Sequence, residues 1–180
     1  MDSSTSEFVL LGDHDYSYPR ETNIREGLKY HGVDVIDCQF SDEQLFIGLK
    51  KLLLLPLFYF RIIRQMRAIQ RNYEPDAVFL TKFNPLILPI AWWYARRIGC
   101  PLIYDLFVSL YRTAEMRGVN PLFVKILFGI EYAALRFPDH HTVGTNQFIQ
   151  LYSQMYSLPE TRFIRLPPGA DEEWYHPIDT

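Results

Sequence analysis

The sequence predicts an α/β protein: a Rossmann-like, open, doubly wound parallel sheet with helices on both faces. Six short apolar runs alternate with five longer segments of helical periodicity along the 180 residues. Parallel strands need such long connections, and a sheet built this way is covered on both faces. An apolar content of 48% and a charged content of 22% suit one globular domain of this length. We therefore expect residues 1–180 to form a single domain.

Local signals place each element in turn. The first apolar run ends at Gly12-Asp13, which is typical of a strand followed by a tight loop. The next helical segment ends at His31-Gly32, where glycine provides the usual C-terminal stop. The predicted strands span residues 8–11, 33–38, 76–80, 101–105, 141–144 and 162–166. The predicted helices span residues 21–30, 45–71, 86–98, 121–136 and 147–156.

Ligands of open α/β sheets bind beyond the carboxyl ends of the strands. This rule nominates the loops at residues 12–20, 81–85, 105–117 and 144–146. In the first loop, Asp13, His14 and Arg20 lie just before a helix, whose unpaired N–H groups favour anions. The loop has one glycine where a dinucleotide fingerprint needs three. A surface loop whose polar side chains cap the helix is the alternative interpretation.

The fourth predicted strand ends at Asp105, and hydroxyl side chains follow at alternating positions. Ser109, Tyr111 and Thr113 make up this run. A carboxylate at the end of a strand could orient an acceptor hydroxyl or take its proton. An aspartate that caps its own loop has the same sequence pattern.

Bulk properties exclude several classes of protein. A net charge of -3 argues against a nucleic-acid partner. Cys38 and Cys100 lack metal-ligand spacing and are expected to be buried, reduced thiols of a cytoplasmic protein. His140 and His141 are neighbours on a strand and must point to opposite faces, so no metal site is expected. The N-terminus lacks the features of a signal peptide.

Basic residues are concentrated between residues 44 and 71, which contain six of them and no acidic residue. Arg61, Arg64, Arg67 and Arg71 fall within about 120° of a helical wheel. Together with Lys50, Lys51 and the leucine-rich run that follows, they predict a helix that lies on an anionic membrane. A core helix with a solvated basic face is the alternative interpretation.

Several short motifs occur together in an order that resembles the N-terminal domain of family 4 (group 1) glycosyltransferases of the GT-B fold. Each motif precedes a predicted strand or forms the hinge at residues 167–180. They are Gly32 before the second strand, Pro75-Asp76 at the third, Gly99-Cys100-Pro101 at the fourth, Glu131 to Asp139 before the fifth, and Pro168-Gly169-Ala170-Asp171. The spacing of Glu131 and Asp139 is not interpreted as that family's paired-glutamate element, because Asp139 follows Pro138 next to a strand.

The resemblance implies the acceptor-binding half of a retaining, metal-free glycosyltransferase, inactive alone. Its donor would be a nucleotide-diphosphate sugar, bound mainly by a C-terminal domain of the same gene or of a separate chain. The acceptor would be a glycan or a lipid-linked sugar at the cytoplasmic face of the membrane. Asp105 would be catalytic, Gly169 and Asp171 would face the donor, and Lys50, Lys51, Arg61 and Arg64 would face the membrane. The implied acceptor-binding residues are Asp13, His14, Arg20, Lys82, Asn84, Ser109 and Tyr111.

Two other functions stay open at this point. The chain could be a stand-alone subunit that pairs with a separate donor-binding chain through Trp174 and Tyr175. It could also be a non-enzymatic binding module with a flavodoxin-like arrangement.

Overall fold

A computed structural model describes residues 6–12, 19–39, 49–81 and 87–169, without the side chains of residues 49–55 and 58. The six predicted strands are all present. They are β1 (Glu7–Gly12), β2 (Asp34–Gln39), β3 (Ala77–Leu80), β4 (Leu102–Asp105), β5 (His140–Val143) and β6 (Phe163–Arg165). The helices are α1 (Pro19–Tyr30), α2 (Leu49–Asn72), α3 (Leu88–Ile98), α4 (Leu110–Met116), α5 (Pro121–Ala134) and α6 (Asn146–Tyr156), with a 3₁₀ turn at Glu160–Arg162.

The strands form one parallel sheet in the order β2-β1-β3-β4-β5-β6. The chain leaves β1 for one edge through β2 and returns to build the other edge from β3 onwards. The direction of winding therefore changes between β1 and β3, and in sheets of this order a crevice opens at that point. The predicted α/β architecture is confirmed.

The two faces of the sheet pack against different helices because strand side chains alternate between them. Val9 and Leu11 point into the larger core, which also contains Ile62 and Met66 of α2. Helices α3, α5 and α6 add further buried residues to the same core. Leu10 points the other way and packs against Ile24 of α1. Helices on both faces are therefore confirmed: α1 packs on one face, and α2, α3, α5 and α6 pack on the other.

Helix α4 corrects the sequence analysis, which expected a continuous loop over residues 105–117. Ser109 caps α4 through its side chain, which accepts a hydrogen bond from the Arg112 N–H. Beyond α4, Gly118 has a φ of 66°, a conformation that glycine adopts without strain. Seven residues are too few for a clear helical period, so the cap was the only local signal of this helix.

The two cysteines are free and buried, as the sequence predicted. Among the residues that the structure describes, no cluster of His, Cys, Asp and Glu could hold a metal ion. Within the same residues, no helix combines the length and the apolar content that crossing a membrane requires.

His141 is enclosed in the core, whereas the neighbouring His140 is only partly buried. The ring of His141 contacts Phe163 and Tyr104, with ring centroids 5.2 Å and 6.2 Å apart, respectively. Burial lowers the pKa of His141 to about 3 from its ordinary value of 6.5, and the Arg162 charge contributes in the same direction. The folded protein therefore holds this imidazole in the neutral form.

We expect this neutral histidine to make the protein sensitive to acid. Below pH 6.5 the unfolded chain binds a proton that the folded chain does not, so stability falls as pH decreases towards about 3. The loss between pH 6.5 and about pH 5 should be about 2 kcal/mol. Urea unfolding at several pH values should show that His141→Phe removes this part of the slope. The exposed His31, changed to Asn, provides the matched control, and an unchanged slope in His141→Phe would contradict the prediction.

Candidate functional site

The candidate site lies at the carboxyl edge of the sheet, where β4, β5 and β6 end beside the first turn of α1. Helix α1 starts at Pro19. Proline suits the first helical position, because an N–H group there would have no partner within the helix. This start places Arg20 in the first turn. The loops after β1 and β3, residues 13–18 and 82–86, lie outside the described residues.

Arg20 and Asp105 form an ion pair that is buried at this edge. The Arg20 Nη2 donates to Asp105 Oδ1 at 2.6 Å, and Nε donates to Oδ2 at 2.8 Å. Each side chain is only 6% exposed. Two parallel hydrogen bonds between a guanidinium and a carboxylate fix both groups in one plane, which a lysine could not do. The pair therefore joins the start of α1 rigidly to the end of β4.

Three further contacts connect the pair to the surrounding elements. Thr142 of β5 donates its hydroxyl to Asp105 Oδ1 at 2.7 Å. The Arg20 Nη1 donates to the carbonyl oxygen of Leu166, just after β6, at 3.0 Å. The Arg20 guanidinium also lies over the ring of Phe107, 4.6 Å from its centroid. Arg20 thus connects α1 to β4 and to the segment that follows β6, and β5 is connected to Asp105 through Thr142.

A second buried carboxylate lies behind this edge and supports α4. Glu131 of α5 is 1% exposed, and it accepts hydrogen bonds from the backbone N–H groups of Leu110 at 3.2 Å and Tyr111 at 2.9 Å. Ser109 donates its hydroxyl to the same carboxylate at 3.1 Å and lies 2.9 Å from the Tyr156 hydroxyl oxygen. The first N–H groups of α4 are therefore satisfied by side chains and not by solvent.

Burial raises the pKa of Glu131 above its ordinary value, and the hydrogen bonds that it accepts oppose this shift. Burial also raises the pKa of Tyr156, and the adjacent Glu131 charge adds to the increase. Sequence reasoning did not assign this role to Glu131, because its partners lie 20 to 22 positions away in the chain. A glutamate in the apolar segment ILFGIEYAA was the only signal that a buried partner existed.

The predicted site residues are distributed unevenly around this edge. Arg20 and Asp105 are in direct contact, while Ser109 lies fully buried below them against Glu131. Tyr111 is half-buried, and its hydroxyl donates to Glu115 at 3.1 Å. Asp13, His14, Lys82, Asn84 and Asp171 lie outside the described residues. The catalytic role of Asp105 stays a prediction, and both of its oxygens are bonded in this structure.

The start of the predicted hinge packs on α1. A Cβ atom at Gly169 would lie 3.0 Å from the side-chain nitrogen of Asn23, so the backbone approaches α1 closely at this position. Pro168 lies beside Gly144, at the end of β5. The chain thus passes from β6 across the carboxyl edge and over α1. The role of Gly169 towards a donor stays a prediction.

Helix α2 presents its arginines to solvent. Ile62 and Met66 are fully buried, whereas Arg61 and Arg64 are exposed on the opposite face. This is the amphipathic arrangement of a core helix with a solvated basic face. Leu57 and Phe60 are also exposed, beside these arginines. The side chains of Lys50 and Lys51 are not among those described.

A cavity of about 530 Å³ lies at the opposite, amino edge of the sheet. Two of its three carboxylates are bonded to backbone: Glu7 accepts from the Glu74 N–H at 2.8 Å, and Asp76 accepts from the Glu7 N–H at 3.0 Å. These bonds close the starts of β1 and β3. We therefore interpret this cavity as the result of strand capping, and the carboxyl edge as the candidate site.

The fold and this edge define a class: a Rossmann-like α/β domain of the kind that binds ligands at the carboxyl ends of its strands. No protein-family model and no curated protein matches the sequence. Among solved structures, the glycosyltransferase of kitacinnamycin matches with a TM-score of 0.51 at 13% identity, over 96% of this chain and 55% of that one. UGT89C1 of Arabidopsis thaliana, solved with UDP-L-rhamnose, matches with a TM-score of 0.50 at 12% identity, over 91% of this chain and 44% of that one.

These matches show a glycosyltransferase-like fold. The chain spans about half the length of the solved structures that it matches. Its six-stranded sheet therefore corresponds to one half of a GT-B fold.

We expect the Arg20–Asp105 pair to be essential for stability. Asp105→Asn leaves a buried guanidinium without its counter-charge, which should lower the free energy of unfolding by about 3–5 kcal/mol in urea titrations. The matched control is Arg96→Met, because Arg96 pairs with Asp139 at 2.7 Å but is 57% exposed. Breaking that surface pair should cost no more than about 1 kcal/mol. Equal losses in the two variants would contradict the buried-pair interpretation.

Glu131 should control the order of α4. In Glu131→Gln the amide has one acceptor oxygen in place of two, and its NH₂ faces the donor N–H groups. Hydrogen exchange at the Leu110 and Tyr111 amides should accelerate about tenfold or more relative to core amides of β3. Lys125→Gln, an exposed change on the helix that carries Glu131, should leave these rates unaltered. Unchanged exchange in Glu131→Gln would show that the carboxylate does not hold α4.

Proposed function

We propose that this chain is the acceptor-binding N-terminal domain of a retaining glycosyltransferase. The observation that carries the proposal is the fold: a parallel sheet that matches about half of solved glycosyltransferases over nearly all of its own length. Such a half lacks one wall of the cleft. The donor, a nucleotide-diphosphate sugar, would bind mainly to a C-terminal domain of the same gene or of a separate chain. Gly169 and Asp171 would then face the donor.

In this proposal the acceptor hydroxyl binds at the carboxyl edge of the sheet. Arg20 fixes the edge, and the loops that carry Asp13, His14, Lys82 and Asn84 would contact the acceptor glycan. These loops follow β1 and β3, next to the point where the winding of the sheet changes. Ser109, fully buried, would contribute by holding α4, and Tyr111 would contribute from the surface of that helix.

Asp105 is the proposed catalytic carboxylate, and its ion pair sets a condition on that role. Oδ1 of Asp105 accepts from Arg20 and Thr142, and Oδ2 accepts from Arg20, so an acceptor hydroxyl would reach the remaining lone pair of Oδ2 or take the place of Arg20. Domain closure around the donor would supply such a change, because Arg20 also holds the carbonyl of Leu166 at the start of the hinge. In this proposal the ion pair restrains the catalytic carboxylate until the domains close around the donor.

The basic face of α2 supports a location at the inner, cytoplasmic surface of the cell membrane. Arg61 and Arg64 are exposed, and Lys50 and Lys51 lie in the first turn of the same helix. Each such charge contributes about 1 kcal/mol near anionic lipid. A lipid-linked sugar would be presented at this surface, so the proposal includes it among the acceptors.

The proposal is tested by measuring whether this chain binds the acceptor or the donor. Saturation-transfer NMR should detect binding of acceptors, taken from a panel of oligosaccharides and a prenyl-phosphate-linked sugar. UDP-glucose and GDP-mannose should give no signal with this chain alone. Lys82→Ala combined with Asn84→Ala should weaken acceptor binding about tenfold, because two hydrogen-bonding groups are lost.

The matched control is Lys29→Ala, which removes an exposed lysine that pairs with Glu26 at the far end of α1. It should leave acceptor binding unaltered. Tight binding of a nucleotide sugar by this chain, or no binding of any acceptor, would contradict the proposal that this domain binds the acceptor and the other domain binds the donor. A donor-binding half that restores transfer would also allow the anomeric configuration of the product to be determined, and inversion would contradict the retaining mechanism.

A further inference from the structure

The end of α4 and the outer face of α5 form an apolar surface that the rest of the described protein leaves uncovered. We call it the α4–α5 ridge. Its six large apolar side chains are between 36% and 82% exposed: Met116, Val119, Leu122, Phe123, Ile126 and Ile130. Single exposed apolar residues are common, but a continuous group of this kind marks a contact surface.

The outer face of α5 differs from that of an ordinary amphipathic helix. Helix α5 already buries Val124, Glu131 and Ala134 against the protein. The opposite face of a surface helix normally carries charged residues. Here that face carries Leu122, Ile126 and Ile130, and Gly129 and Ala133 are exposed beside them. Lys125 is the one charged residue on the exposed side of α5, so most of that side is expected to be covered.

The charges around the ridge indicate what covers it. Residues 110–130 contain three exposed basic side chains, Arg112, Arg117 and Lys125, and one exposed acidic side chain, Glu115, which pairs with Arg112 at 3.3 Å, so this stretch carries a net charge of +2. A second copy of this chain would bring the same positive charges together across the contact, which is unfavourable. An anionic surface would pair with them. Apolar and aromatic side chains flanked by Lys and Arg are the combination found in helices that lie in a bilayer interface.

We propose that the α4–α5 ridge inserts into the interface of an anionic lipid bilayer. The apolar side chains enter the boundary between headgroups and acyl chains, while Arg117 and Lys125 contact the lipid phosphates. This contact is distinct from the basic face of α2, which supplies long-range attraction and, among the side chains that the structure describes, places Leu57 and Phe60 beside its arginines. The ridge supplies the apolar part of the binding free energy.

The position of the ridge relates it to the candidate site. Helix α4 follows β4 directly, and α5 returns towards the start of β5, so Met116, Leu122 and Phe123 lie nearest the carboxyl edge. If the proposed function holds, the ridge brings the acceptor edge to the surface at which a lipid-linked sugar is exposed. Membrane insertion itself does not rest on sugar transfer, and vesicle binding tests it separately.

The test is flotation of the full chain with vesicles of phosphatidylglycerol and phosphatidylcholine at about 0.15 M salt. Phe123→Ser combined with Ile126→Ser should weaken binding about tenfold or more, because two large apolar side chains are lost from the interface. Leu57→Ser combined with Phe60→Ser is the matched control on α2, with side chains of similar exposure. It should change binding less than threefold. Circular dichroism should show that both variants fold, since all four side chains are exposed.

A second readout follows the wild-type chain directly. Hydrogen exchange of residues 116–130 should slow on vesicles that contain phosphatidylglycerol and stay unchanged with phosphatidylcholine alone. Loss of binding in the α2 variant only, or no vesicle binding at all, would overturn the proposal. Self-association in the absence of lipid that the ridge variant abolishes would overturn it as well, in favour of a contact between two copies.

Discussion

The ion pair between Arg20 and Asp105 is the constraint on which the carboxyl edge of this protein depends. Two charges that are 6% exposed are tolerated only because they bond to each other in parallel and to groups around them. Those groups belong to separate parts of the chain: Thr142 on β5 and the carbonyl of Leu166 beyond β6. The helix of the first crossover is thereby fixed to the last strands of the sheet. An edge held in this way can position a ligand without first becoming ordered.

A second buried carboxylate, that of Glu131, also joins separate elements, because it connects α5 to the start of α4. Glu131 accepts hydrogen bonds at the N-terminus of α4, so this short helix is held by α5 as well as by its own Ser109 cap. The two carboxylates differ in their partners, because Asp105 has a cation and Glu131 has only neutral donors. Burial raises the pKa of Glu131 above its ordinary value. Outside these networks, α5 presents an apolar surface that the described residues leave uncovered.

The sequence was informative wherever a signal was local. Alternating apolar runs predicted all six strands, and Gly32 and Gly99, both with positive φ, marked the ends of α1 and α3. Helix α4 was missed because its stabilising partner, Glu131, comes from another element. Asp105 was selected for its place at the end of a strand, but its pairing with Arg20 joins residues 85 positions apart, which no periodicity reveals. Such contacts depend on strand order, and the order of the strands was not predicted.

The central claim is that the edge organised by Arg20 and Asp105 is the ligand-binding edge. The most direct test is amide chemical-shift mapping of the ¹⁵N-labelled chain while the oligosaccharide panel is added. The account predicts that the shifted resonances cluster around Arg20, Phe107 and Gly144, where α1 meets the ends of β4 and β5. Shifts that cluster instead around Glu7 and Tyr73, which line the cavity at the amino edge, would contradict it.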